Sequence, residues 1–167
     1  MISRSYILDT LKSLDRRYNR ATSLKESLFY SKLAILELCG WIEESMDDVV
    51  LRCAYRYLTD KEYIKYFKEQ IVDKTYGFDY HQNFRKMLIQ LLGIINVEKI
   101  EKRVDASKQL RFTATLDGLK KVRNSEAHTH IKGVTRSINA PSITLSQFPA
   151  LYNGLLEFDA ALRRKRY

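Results

Sequence analysis

The fold is decided by residues 25–58, KESLFYSKLAILELCGWIEESMDDVVLRCAYRYL, a stretch without proline in which apolar side chains recur every three or four positions. That spacing places them on one face of an α-helix. We therefore predict one long helix, whose inward face holds Leu28, Leu33, Ile35, Leu36, Leu38, Trp41, Ile42, Met46, Val49, Val50, Cys53 and Tyr57. The acidic residues Glu43, Glu44, Asp47 and Asp48 are expected to face solvent or to dock basic residues rather than to bind a metal.

The rest of the chain follows the same helical period. Both prolines, Pro141 and Pro149, come after residue 140, so the preceding 140 residues lack this helix breaker. We predict a single domain over residues 1–167: an all-α, up-and-down helical bundle of about five to six helices. The further predicted helices span about 3–20, 60–75 and 80–95, then run from near 113 into the segment 123–130, and end with 144–164. Residues 96–110 read as a short solvated helix or a loop, and 131–143 as a loop.

The composition and charge of the chain indicate which partners and which cellular compartment to expect. The net charge of +9 and the pI near 9.5 favour a polyanionic partner: nucleic acid, an anionic membrane surface or an acidic protein. No apolar run is long enough to span a membrane, and the first residues lack a secretory signal, so we expect a cytoplasmic protein. Cys39 and Cys53 lie too far apart along one helix to form a disulfide and are expected to be buried thiols.

Two basic stretches have both a structural and a functional interpretation. Tyr55, Tyr63 and Tyr66 alternate with lysines and arginines, a composition suited to stacking on unpaired bases. At helical spacing, however, Tyr57, Tyr63 and Phe67 fit the core face, and this is the interpretation we favour. The basic tail at 163–166 is either a solvated chain end or a surface for RNA, formed by Arg163, Arg164, Lys165 and Arg166.

The stretch that bears on function is RNSEAH, residues 123–128, followed two residues later by His130. An arginine and a histidine suffice for RNA cleavage without a metal, because the histidine takes a proton from a 2′-hydroxyl and the arginine stabilises the charged phosphorus centre. Asn124 and His128 share one helix face. Arg123 and His128 lie about 140° apart on an ideal helix. A straight helix would therefore aim both at one phosphate only if the long arginine side chain reaches round or the helix breaks locally. The alternative, which we favour, is a two-fold homodimer in which both copies complete one cleft.

This pattern, Arg-Asn-x-x-x-His late in a helical bundle, resembles the signature of the HEPN superfamily (higher eukaryotes and prokaryotes nucleotide-binding). The motif covers about residues 113–131, and the predicted helix order agrees over most of the chain. The resemblance implies a dimeric, metal-independent RNA endonuclease that needs no cofactor. It also implies a role as a toxin or in antiviral defence. Its catalytic residues would be Arg123, Asn124 and His128, with RNA as substrate and a regulatory protein as a further partner.

The implied reaction is transesterification. His128 takes the 2′-hydroxyl proton, Arg123 binds the phosphate, Asn124 orients it, and His130 or the His128 of a second copy protonates the leaving oxygen. In toxins of this superfamily that are paired with minimal nucleotidyltransferases, a tyrosine stands two residues after the histidine. Here that position is His130, so control by that kind of antitoxin is not expected. A purely structural role for His130 at a helix end stays open.

A second hypothesis is a HEPN-like module without catalysis, which binds RNA or a partner protein. A third is a helical DNA-binding domain, which ranks last because no helix-turn-helix spacing is present. Cleavage of RNA in the presence of a chelator separates the first hypothesis from the other two.

Overall fold

The structure, a computed structural model, describes residues 2–127 and 137–164. Within these residues the chain forms seven α-helices and no β-strand, which confirms the predicted all-α bundle. The helices are α1 (Ser5–Tyr18), α2 (Leu24–Tyr57), α3 (Lys61–Phe67), α4 (Arg85–Leu92), α5 (Ile94–Glu101), α6 (Ala106–Ala127) and α7 (Pro141–Arg163). A π-helical turn, Lys68–Val72, extends α3, and another, Tyr80–Phe84, leads into α4.

Helix α2 is the central element, and its start is fixed locally. Ser23 caps it, its hydroxyl accepting the backbone N–H of Glu26 at 3.2 Å. Glu26 reaches back and accepts the N–H of Thr22 at 3.1 Å. Thirteen α2 residues are buried, and α1, α6 and α7 pack against the helix. The predicted bounds, 25–58, therefore agree with the structure to within one residue.

Aromatic side chains fill the core beside α2. Phe158 of α7 is the centre of this cluster, with ring centroids 5.4 Å from Phe84, 5.5 Å from Tyr80 and 6.0 Å from Phe112. The Tyr80 hydroxyl donates to Glu101 Oε1 at 2.6 Å, so its polar end is satisfied. This cluster joins the chain around residue 80 to α6 and α7, and thereby fixes where α6 lies.

Helix α6 begins earlier than the sequence analysis predicts. The expected start near residue 113 is wrong, because Asp105 accepts the backbone N–H of Lys108 at 2.8 Å and starts the helix seven residues sooner. Phe112 is consequently a fully buried helical residue. Much of 96–110 is likewise helical, since Gly93, at φ +77°, ends α4 and starts α5. The described residues therefore hold seven helices instead of five to six.

The last helix also begins earlier than predicted. It starts at Pro141 and not at 144, because proline at the first helical position needs no N–H partner and has a helical φ. Residues 141–143 thus belong to α7 and not to the predicted loop, while 131–136 lie outside the described residues. The helix ends at Arg163, one residue before the predicted end.

Three further predictions have an outcome. Cys39 and Cys53 are buried free thiols, as expected. Tyr63 is 67% exposed, so its predicted core position is wrong, whereas Phe67 of the same short helix is buried. Along 2–127 and 137–164, none of the helices pairs enough length with enough apolar character to cross a bilayer.

Candidate functional site

The C-terminal end of α6 presents three polar residues on one face. Lys120, Arg123 and Asn124 stand at positions i, i+3 and i+4, so their side chains leave the helix on the same side. They line one wall of a cavity of about 200 Å³. Arg123 is half-buried and Asn124 is exposed. Two of the four predicted catalytic residues therefore share a surface cavity.

The opposite wall comes from a segment about forty residues earlier, which joins α3 and its π-helical turn to the turn Tyr80–Phe84. Its lining residues are Tyr76, Gly77, Phe78, Asp79, Gln82 and Asn83. Gly77 adopts φ +101°, in the left-handed region where a side chain is strained. The segment thus makes a turn that only glycine adopts readily, and this turn brings Tyr76 to the rim of the cavity.

Hydrogen bonds hold this wall in place from three directions. The N–H of Gly77 donates to Glu43 Oε1 of α2 at 2.5 Å. The side chain of Asn83 donates to the carbonyl of Tyr76 at 2.9 Å and accepts the N–H of Asp79 at 2.9 Å. Lys120 of α6 donates to Asp79 Oδ2 at 2.6 Å. The cavity is therefore preformed, its two walls tied together by the Lys120–Asp79 ion pair.

The environment of Asp79 favours its ionised form. Burial raises its pKa, but the hydrogen bond from Lys120 and the backbone N–H of Gln82 outweigh this effect, and the pKa lies below its usual value. Its second oxygen accepts that N–H at 2.8 Å and caps the turn Tyr80–Phe84. The charge of Lys120 is thus largely neutralised by a neighbour.

Arg123 differs from Lys120 in this respect. Among the described residues its guanidinium makes one hydrogen bond, a long one of 3.3 Å to Asn124 Oδ1, and no ion pair with a carboxylate. It lies close enough to α2 for its charge to lower the pKa of Cys39, although burial outweighs this and raises that pKa to about 12. A half-buried guanidinium that meets no carboxylate within 2–127 and 137–164 suits the binding of an anion such as a phosphate.

Behind this site, the acidic residues of α2 only partly face solvent. Glu44 and Asp48 are exposed, as predicted, whereas Glu43 and Asp47 are half-buried. Burial, together with the charges of Glu43 and Asp73, raises the pKa of Asp47 to about 7. Nowhere in the described part of the chain do three or more His, Cys, Asp or Glu residues group as metal ligands.

The remaining predicted site residues divide into two groups. His128, His130, Lys165 and Arg166 lie outside the described residues. Arg163 Nη2 donates to the buried Asp159 at 2.5 Å, an ion pair within α7, and Arg164 is exposed. Arg163 therefore has a structural partner, although like Arg164 it is an exposed residue.

The second wall was not predicted from the sequence. The predicted helix over 60–75 ends just before Tyr76 and Gly77, and Gln82 lies in the predicted helix over 80–95 without any sign of a binding role. The one available hint was the Thr75-Tyr76-Gly77 turn, because a glycine in a turn beside an aromatic residue permits an exposed ring. Nothing local links that turn to Arg123.

Comparisons of this chain with protein-family models, with curated proteins and with solved structures find no match.

Proposed function

We propose that this chain is a metal-independent RNA endonuclease of the HEPN type, which acts as a homodimer through Arg123, Asn124 and His128. One observation carries the proposal: a half-buried arginine guanidinium, without a carboxylate partner among the described residues, lines a preformed cavity beside Asn124. The net charge of +9 supports an anionic substrate. A toxin or antiviral-defence role belongs to the same proposal and follows from the sequence resemblance.

In the proposed reaction, His128 takes the proton of a 2′-hydroxyl, and the 2′-oxygen attacks the adjacent phosphorus. Arg123 binds the phosphate through two N–H groups and stabilises the charge that develops on its oxygens. The bond from phosphorus to the 5′-oxygen breaks. That oxygen takes a proton from His130 or from the His128 of a second copy. The products are a 2′,3′-cyclic phosphate and a 5′-hydroxyl.

The test is cleavage of a mixed single-stranded RNA in EDTA by the full chain. Relative to wild type, we expect Arg123→Ala to slow cleavage about 100-fold to 1000-fold, and His128→Ala about 100-fold to 10,000-fold. Arg123→Lys keeps the charge but loses the paired N–H groups, so it should restore little activity. Arg111→Ala is the matched control, because Arg111 is an exposed arginine about three turns earlier on α6.

The chemistry is tested separately by the product ends. A single 2′-deoxy substitution at the cleaved nucleotide should block the reaction, and mass spectrometry should detect the cyclic phosphate. If wild type and both alanine variants leave RNA equally intact, the enzyme proposal is wrong. Unchanged cleavage in both variants would assign the activity to other residues or to a contaminant.

A second candidate is a non-catalytic module that binds RNA. The exposed rings of Tyr55, Tyr63 and Tyr66 favour it, since each lies near lysine or arginine in the sequence and none is covered by the described chain. RNA binding without cleavage, reduced when these tyrosines are replaced, would favour this candidate. The basic tail is a proposed RNA contact under both candidates.

A further inference from the structure

The wall of the cavity opposite Arg123 has no role in the cleavage chemistry above. Tyr76 is 81% exposed at its rim, the most exposed of the large apolar side chains in the described residues. The side-chain amide of Gln82 lines the same cavity and forms no hydrogen bond within the described chain, since only its backbone N–H is engaged, by Asp79. An aromatic face and an amide are therefore both available to a ligand.

The neighbouring polar side chains already have hydrogen-bond partners within the protein. Asn83 uses its oxygen and its nitrogen to hold the backbone, Asp79 holds Lys120, and Glu43 holds Gly77. Because these hydrogen bonds fix the wall before binding, it loses little conformational freedom when a ligand enters. The ligand would thus meet three groups in a fixed frame: the ring of Tyr76, the amide of Gln82 and the guanidinium of Arg123.

The size of the cavity fits one planar base, and the chemistry of its lining fits the nucleotide that carries that base. About 200 Å³ is below the roughly 300–1,000 Å³ of pockets for drug-sized molecules, and a single planar group fits it better than a larger ligand. Tyrosine stacks on unpaired bases, an amide both donates to and accepts from a base edge, and arginine binds the attached phosphate. A paired base would present neither its face nor its pairing edge to these groups.

We propose that this cavity is the subsite for one unpaired nucleotide next to the scissile phosphate, with Tyr76 stacked on its base and Gln82 bonded to its edge. The inference rests on the proposed function, because it takes the phosphate bound by Arg123 as the one that is cleaved. It adds that the substrate is single-stranded and that Gln82 contributes to base preference.

Binding of short single-stranded RNA with 2′-fluoro groups, which cannot be cleaved by this route, tests the proposal by fluorescence anisotropy. Tyr76→Ala should weaken affinity about 5-fold to 150-fold, the equivalent of one base stack. Tyr76→Phe keeps the ring and should bind like wild type. Gln82→Ala should narrow the differences in affinity among oligonucleotides of A, C, G and U. Tyr6→Ala is the matched control, because Tyr6 is nearly as exposed but lies on α1.

Two results would overturn the subsite: unchanged affinity in Tyr76→Ala, or an equal loss in Tyr6→Ala, which would indicate a diffuse surface. Tyr76 and Gln82 are exposed, so both variants should fold, as circular dichroism can verify. The two proposals fail separately. If Tyr76→Ala weakens binding while wild type cleaves no RNA, the subsite stands and the enzyme proposal is wrong. If wild type cleaves RNA and Tyr76→Ala binds normally, the enzyme proposal stands and the subsite is wrong.

Discussion

Gly154 should tolerate no side chain, because Phe112 of α6 packs against it where α6 and α7 are in contact. A Cβ atom built at this position would lie 2.5 Å from the Cβ of Phe112, well inside van der Waals contact. Phe112 is fully buried against Tyr80 and Phe158, with centroids 6.3 and 6.0 Å away, so its ring has no space to withdraw. Gly154→Ala must therefore push the two helices apart, including the helix that carries Arg123.

The magnitude follows from two opposing effects. Alanine in place of glycine inside a helix gains about 1 kcal/mol of stability. Overpacking a core costs about 1–3 kcal/mol, and a clash with a Cβ atom, which is fixed to the backbone, belongs at the upper end. We expect Gly154→Ala to lower the free energy of unfolding by about 2 kcal/mol. Gly40→Ala on α2 is the matched control and should raise it by about 1 kcal/mol, since nothing lies within 4 Å of its built Cβ.

The assay is urea unfolding followed by far-ultraviolet circular dichroism, with the two variants and wild type under identical conditions. The result should be a shift of the midpoint in opposite directions for the two substitutions. Combining Gly154→Ala with Phe112→Ala should show favourable coupling, because alanine removes Cγ and Cδ2 of Phe112, two of the three atoms that the built Cβ meets. If Gly154→Ala is as stabilising as Gly40→Ala, then α6 and α7 do not approach each other closely at Gly154.

Two further predictions concern pH and are measured as the difference in unfolding free energy between variant and wild type. Asp47→Asn should stabilise the protein at about pH 8 and have little effect near pH 4. The raised pKa of Asp47, about 7 against 3.8, means that the folded state loses stability as pH rises between those values. The full shift in the pKa of Asp47 corresponds to about 4 kcal/mol of unfolding free energy, which solvent screening reduces to about 1–2 kcal/mol. Asp9→Asn, an exposed aspartate on α1, is the control, and a pH-independent difference for Asp47→Asn would contradict the reasoning. Asp79→Asn keeps the cap but loses the Lys120 ion pair, so it should cost about 1 kcal/mol at neutral pH. Because the folded pKa of Asp79 is lowered, this cost should disappear as pH falls below it, and a cost that persists in acid would refute the ion-pair explanation.

Amino-acid order alone determined the all-α class, the bounds of α2 and the burial of both cysteines. These features depend on the helical period and on caps within one turn, such as Ser23 and Asp60, and such signals are local. The same locality explains the errors at α6 and α7. Asp105 and Pro141 are start signals for these helices, but the apolar period that follows each of them is weak, so the predicted starts near 113 and at 144 fall too late.

Tertiary structure alone decided what surrounds Arg123. The sequence indicated Arg123 and Asn124 as neighbours on one helix, but it held no sign that Tyr76 and Gln82 line the same cavity. That arrangement depends on the aromatic cluster around Phe158, on the contact of Gly77 with α2 and on the Lys120–Asp79 ion pair. Each of these joins residues at least thirty positions apart. Side-chain packing over such separations is set by the whole core and not by any local pattern, so the sequence determines the helices and the fold determines which of their polar ends meet.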